Sequence, residues 1–86
     1  MKELERNLKA LANKRRLAII KYLKSVGQAP VADIAGAIDL SFKATSKHLG
    51  ILFANDIVDK EQMSLQMFYR LSPIQKPAAK RILSLL

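Results

Sequence analysis

The 86-residue sequence has no cysteine and no tryptophan, three glycines, three prolines and a single histidine. Without cysteine there are no disulfides and no thiolate ligands, and one histidine cannot supply a zinc site, which takes about four Cys, His or carboxylate donors. No glycine-rich phosphate loop is present, and neither a paired-carboxylate constellation nor a nucleophile beside a base is visible. No enzyme and no cofactor are therefore expected. Apolar runs fall well short of the roughly 20 residues of a membrane span. The opening "MKELERNLKA" lacks the apolar stretch of a signal peptide, so a cytoplasmic protein without membrane contact is expected. Acidic residues are also scarce: seven Asp and Glu stand against fifteen Lys and Arg, a formal net charge of +8. That imbalance points to a polyanionic partner, the alternative being solubility through self-repulsion.

What the chain does have is periodicity. Half of it is hydrophobic and 26% is charged, the proportions of a folded chain, and residues 1–86 read as one domain without linker or repeat. In "KELERNLKALA", Leu4, Leu8 and Leu11 recur on one face of an amphipathic helix. Asn13 is placed to cap a second helix, "KRRLAIIKYLKS", with Leu17, Ile20 and Leu23 buried and Lys21 and Lys24 turned to water. Gly27 and Pro30 mark a loop. "VADIAGAI", Val31 to Ile38, is a short helix whose Ala32, Ala35, Gly36 and Ala37 would allow a close crossing. Ser41 caps the next helix, Phe42 to about Ala54, which Asn55 would end in the left-handed conformation. Beyond Asp56 the period becomes two. Leu65, Met67, Tyr69 and Leu71 alternate with Gln66, Phe68 and Arg70, a β-hairpin with its tip near Met63 and Ser64. Ser72 and Pro73 would open a last helix. The fold class is mainly α with a small β-hairpin, a winged helix-turn-helix.

The stretch "LSFKATSKHLGIL", Leu40 to Leu52, carries the chemistry. Lys43 and Lys47 lie one turn apart, opposite Leu49 and Leu52, with Ser46 between them able to bond base edges or phosphate. Phe42 either packs against thymine methyl groups or folds back over the helix start. His48, with no second ligand and no carboxylate partner, either supports a DNA contact or fills a half-buried hydrogen-bonding site. Lys14 and Arg15 sit at a helix start, where the macrodipole disfavours cations, which hints at an external anion or a tolerated surface site.

The same stretch is similar to the recognition-helix signature of ArsR-type repressors, a Ser-x-His-Leu core after a leucine-serine pair, matched by Ser46, His48, Leu49 and Leu52. Upstream, "LKALANKRRLAIIKYL" resembles the family's "LKALADPTRLRILxLL", with Asn13 and Lys14 in place of Asp-Pro and Arg16 kept. Downstream, Phe68, Tyr69, Arg70 and Leu71 stand where the family has "YYRL", at the family's usual wing length. The resemblance implies a homodimeric, sequence-specific regulator of double-stranded DNA, with repression the leading reading. Its DNA contacts would fall on Ser41, Phe42, Lys43, Thr45, Ser46, Lys47 and His48, on Lys60 in the wing, and on Arg16, which either seats the recognition helix or touches the DNA backbone.

The family dimerises through its first and last helices. The surplus of leucine there agrees, because Leu4, Leu8, Leu11, Ile82, Leu83, Leu85 and Leu86 exceed what one small core can cover, the alternative being that both helices fold onto their own core. The family's metal-sensing positions hold "VADIAGAI" and "IQKPAAKRILSLL", which offer no ligand set, so no metal sensing is implied and no effector can be named. The wing also departs from the family, because Asp59, Glu61, Gln62 and Met63 replace its usual arginines. Two rivals stand beside this reading: a winged-helix module that meets an acidic protein, and a nonspecific nucleic-acid binder. Zinc, cadmium or arsenite at stoichiometric levels should give no saturable heat in calorimetry and leave DNA affinity unchanged. Saturable binding with ligands from this chain would overturn that expectation.

Overall fold

The computed structural model describes residues 1–86, Met1 to Leu86. The elements run α1 (Lys2–Leu11), α2 (Lys14–Val26), β1 (Gln28–Pro30), α3 (Val31–Ile38), α4 (Phe42–Ala54), β2 (Val58–Met63), β3 (Gln66–Leu71) and α5 (Pro77–Leu85). The three strands form one antiparallel sheet in the order β1-β3-β2. The expected hairpin is present, turning at Ser64 (φ 59°) and Leu65, but it gains a third strand from the segment expected to be a loop. Gly27, at φ 90°, turns the chain out of α2 into β1. Pro30 is tolerated opposite Phe68 because β1 lies at the sheet edge.

Side-chain caps start two of the helices. The Asn13 carboxamide oxygen accepts from the N–H groups of Arg15 and Arg16 at 2.9 and 3.1 Å, and Ser41 Oγ accepts from the Ala44 N–H at 3.1 Å. The end of α4 differs from expectation. Asn55 is not left-handed (φ −102°); its side-chain amide donates to the Ile51 carbonyl at 2.9 Å, and Asp56 takes the left-handed position at φ 58°. The last helix begins at Pro77 rather than at Ser72 and Pro73. Its delay follows from Gln75, whose side-chain amide donates to the carbonyls of Ile57 and Ser72 at 2.9 and 2.7 Å and holds the connection in an irregular path. Pro77 then sits in the first turn, where a missing N–H costs nothing.

Ile19, Ile20 and Leu23 of α2, Ile34 of α3, Leu49 and Leu52 of α4, and Ile57 and Val58 at the start of the hairpin are fully buried together. Leu17 is only half-buried, and of the small residues on α3 only Ala35 is covered. Gly36 has open space where a Cβ would point, so the small residues do not mediate a close crossing. Lys24 is exposed, as expected, and its ammonium also donates to the Leu83 carbonyl at 2.9 Å, a group in the last turn of α5.

The rotation of α1 matters for function. It buries Asn7, Ala10 and Leu11 and leaves Leu4 and Leu8 outside, 39% and 42% exposed. Leu11 and Leu83, expected among the leucines left over for a partner, are 2% and 9% exposed inside their own chain's core and are unavailable to one. Leu65, expected on one side of the hairpin with Met67, Tyr69 and Leu71, stands at the turn instead and is 96% exposed. Leu11→Ala should destabilise the fold by roughly 2 to 5 kcal/mol in urea unfolding. A loss under about 1 kcal/mol would place Leu11 on the surface instead.

Candidate nucleic-acid interface

The turn between α3 and α4 sets the site. Asp39 adopts the left-handed conformation (φ 56°), the Leu40 N–H reaches back to the Ala35 carbonyl at 3.0 Å, and Ser41 caps α4. On α4, Thr45, Leu49 and Leu52 have no exposed surface and dock the helix on the core. The opposite face is thereby fixed outward: Lys43 and Lys47 are exposed, Ser46 is half-buried between them, and Phe42 is exposed at the first turn. Phe42 does not fold onto the core. It lines a shallow apolar pocket of about 200 Å³ with Pro30, Val31, Leu65 and Met67. The part played by Leu65 was hidden in the sequence, where the alternation assigned it to the strand and not to the turn.

One expected contact needs correction, and another is resolved between its alternatives. Thr45 cannot meet DNA, because its position four residues before Leu49 puts it on the core stripe, and its buried Oγ1 has no partner. Arg16 is committed within the chain. Its Nε donates to the Ala10 carbonyl, Nη2 to the Lys9 carbonyl at 3.2 Å, and Nη1 to His48 Nδ1 at 3.2 Å. It therefore takes the first of its two expected roles, seating α4 through His48. Arg15 behaves similarly, donating from Nη1 to the Ile38 carbonyl at 3.4 Å. Of the two cations expected to oppose the α2 dipole, Arg15 thus reaches the carbonyl end of α3, where positive charge is favoured, as Arg16 reaches that of α1, while Lys14 remains exposed at the helix start.

His48 is half-buried in this network. Burial, then the positive charges of Arg16, Arg15 and Lys47, hold its imidazole below its ordinary value of 6.5, so the ring is neutral at pH 7. In the wing, the Lys60 ammonium leans over the Phe53 ring, 4.3 Å from its centroid, and Glu61 pairs with Arg70 at 3.1 Å.

The second surface lies on the terminal helices. Met1, Leu4, Leu8 and Ala12 line a groove of about 410 Å³ on α1 with Glu5 and Lys9. On α5, Leu85 and Leu86 are 81% and 37% exposed, while Ile82 is half-buried against the core. Lys76, just before α5, pairs with Glu3 and lies 3.8 Å from Asp56. The Lys76 hydrogen bond and charge hold the Glu3 carboxyl below the usual carboxylate range.

A helix α4 docked on the core by one face, with a cationic face outward, and a three-stranded wing sheet define a winged helix-turn-helix protein. No family model matches the chain. The arsenical resistance operon repressor of Escherichia coli K12 is 34% identical over 65 residues, 76% of this chain and 56% of that protein. The transcriptional activator HlyU of Vibrio cholerae is 31% identical over 90 aligned positions, covering 96% of this chain and 82% of HlyU. The structure of reduced HlyU matches with a TM-score of 0.83 over 98% of this chain and 84% of that one. Mb0332 of Mycobacterium bovis, a homodimeric winged helix-turn-helix DNA-binding domain, matches at 28% identity with a TM-score of 0.82, over 98% of this chain and 74% of that one. The chain belongs to the ArsR-type family of winged helix-turn-helix transcriptional regulators.

Thr45→Val keeps the shape and removes a buried hydroxyl without a partner. It should leave DNA affinity unchanged and stabilise the fold by up to about 1 kcal/mol in thermal or urea unfolding. Weaker DNA binding by a fully folded variant would show that this hydroxyl reaches the DNA.

Proposed function

We propose that the chain acts as a homodimer that binds specific double-stranded DNA sites through the outer face of α4 and regulates transcription there, without metal sensing and without catalysis. The observation that carries this reading is the division of α4. Thr45, Leu49 and Leu52 seat the helix, while Lys43, Ser46 and Lys47 are presented together on the other side. The net charge of +8 supplies attraction to phosphate, and Ser46, Phe42 and His48 supply groups suited to base edges and thymine methyls. Ser41 stands at the helix start with its Oγ occupied by the Ala44 N–H, leaving its hydroxyl hydrogen to offer to a phosphate. Lys60 contributes from the wing only if it leaves the Phe53 ring.

Dimerisation rests on the apolar stripe of Leu4, Leu8, Ile82, Leu85 and Leu86, which a second copy would cover. Repression follows most simply, by occupation of a promoter site. The names of the two relatives point both ways, since one is a repressor and the other an activator. A cytoplasmic setting goes with this role, and no helix is long and apolar enough to cross a membrane.

Titrations of two variants on preferred and scrambled duplexes at several salt concentrations test the reading. Lys47→Ala should weaken binding to every duplex alike and reduce the salt slope by about one unit. Ser46→Ala should cost roughly 1 to 3 kcal/mol on the preferred site and far less on random duplex. If neither change affects either duplex, α4 is not the reading element and docking to an acidic protein becomes the better account.

A further inference from the structure

Arg16 makes a contact whose consequence is chemical as well as mechanical. A guanidinium can only donate, so in the 3.2 Å contact between its Nη1 and His48 Nδ1 the ring nitrogen must accept. An imidazole that accepts at Nδ1 carries its proton on Nε2. The same guanidinium is anchored by the carbonyls of Lys9 and Ala10 at the end of α1, so it cannot swing away without breaking those bonds. We infer that Arg16 is a positioning residue for DNA reading: it holds His48 of α4 in one neutral tautomer, whose Nε2–H is a fixed hydrogen-bond donor that selects an acceptor on a base edge.

This rests on the reading of α4 as the DNA-binding helix and adds a specificity role to it. Acceptors of the required kind in the major groove are the purine N7, guanine O6 and thymine O4. The opposite tautomer, or the protonated ring, would set an N–H of His48 against an N–H of Arg16, donor to donor. The charges that bear on the ring are those of Arg16 and Arg15 from α2 and Lys47 from its own helix, all positive, so each opposes protonation. Arg16 therefore fixes the proton's position, and it adds to burial, the larger effect, in opposing the ring's charge. Lysine could not replace it, because a single ammonium does not span two carbonyls of α1 and a ring nitrogen in a planar fork.

The first test needs no DNA. Nitrogen-15 spectra of the wild-type imidazole at pH 7 should show a neutral ring protonated at Nε2, with a titration midpoint below 6.5. Arg16→Gln should give a mixture of tautomers and move the midpoint toward 6.5. The second test measures binding to a set of duplexes that differ from the preferred site by single base pairs. His48→Ala and Arg16→Gln should each lose about tenfold discrimination at the same base pair, and Arg16→Lys should not restore it. That discrimination should also fade as pH drops through the midpoint, while affinity for random duplex rises with the added charge.

A wild-type ring protonated at Nδ1 would overturn the inference whatever the DNA results. So would an Arg16→Gln chain that keeps the discrimination lost in His48→Ala. The wild-type spectrum and His48→Ala involve no change at Arg16, so an unfolded Arg16→Gln chain does not shelter the inference. Absence of any preferred duplex for the wild type would defeat the DNA reading itself, a result the tautomer measurement cannot mimic.

Discussion

Arg15 and Arg16 open α2 by giving their backbone N–H groups to Asn13 and their side chains to three other elements. At the start of a helix their charges are misplaced by roughly 0.3 to 1 kcal/mol each. The same charges are well placed at the carbonyl ends of α1 and α3, which are met at Lys9, Ala10 and Ile38. Arg15 thereby secures the helix that precedes the turn into α4, and Arg16 secures α4 itself through His48. Because Arg16 also holds α1, the helix with the outward leucines and the helix with the outward lysines share one guanidinium. The reading face and the association face are joined by this constraint more directly than by the apolar core.

The association face depends on polar ties of its own. Lys24 satisfies the Leu83 carbonyl in the last turn of α5, and Lys76 draws the start of α1 toward the beginning of α5. With those ties in place, Leu4, Leu8 and Leu85 remain outside a core already filled by Leu11, Ala79 and Leu83. A chain of 86 residues buries only about two-thirds of its unfolded surface, so covering this stripe contributes to stability as well as to geometry. On the DNA side the wing adds little positive charge, since Asp59 and Glu61 flank Lys60 and Arg70 is paired. The proposed DNA reading therefore places most of the attraction on α4.

Much of this was legible in the sequence, and the failures have physical reasons. Asn13 and Ser41 were readable as caps because capping needs one side chain and its local backbone. The helical periods of α2 and α4 and the alternation of the hairpin were readable for the same reason. The orientation of α1 was not, because Leu4, Leu8 and Leu11 mark an apolar face without saying whether a core or a partner covers it. The folded chain takes Leu11 into its core and leaves the other two outside. Three residues of β1 are too few to show a period, and the Ser72-Pro73 helix start was overridden by Gln75 bonds to Ile57 and Ser72. Thr45 was misread because its hydroxyl was given more weight than its spacing from Leu49 and Leu52. The targets of Arg15 and Arg16 lie up to 32 residues away, beyond any local signal.

The central claim is that two copies of α4, held by one association face, read DNA together. Selection of bound duplexes from a random pool by the wild-type protein tests it most directly. The account predicts enrichment of a near-palindrome with half-sites about 10 base pairs apart, centre to centre, or a multiple of that spacing. A pool that stays random, or that converges on one unrepeated half-site, would contradict it.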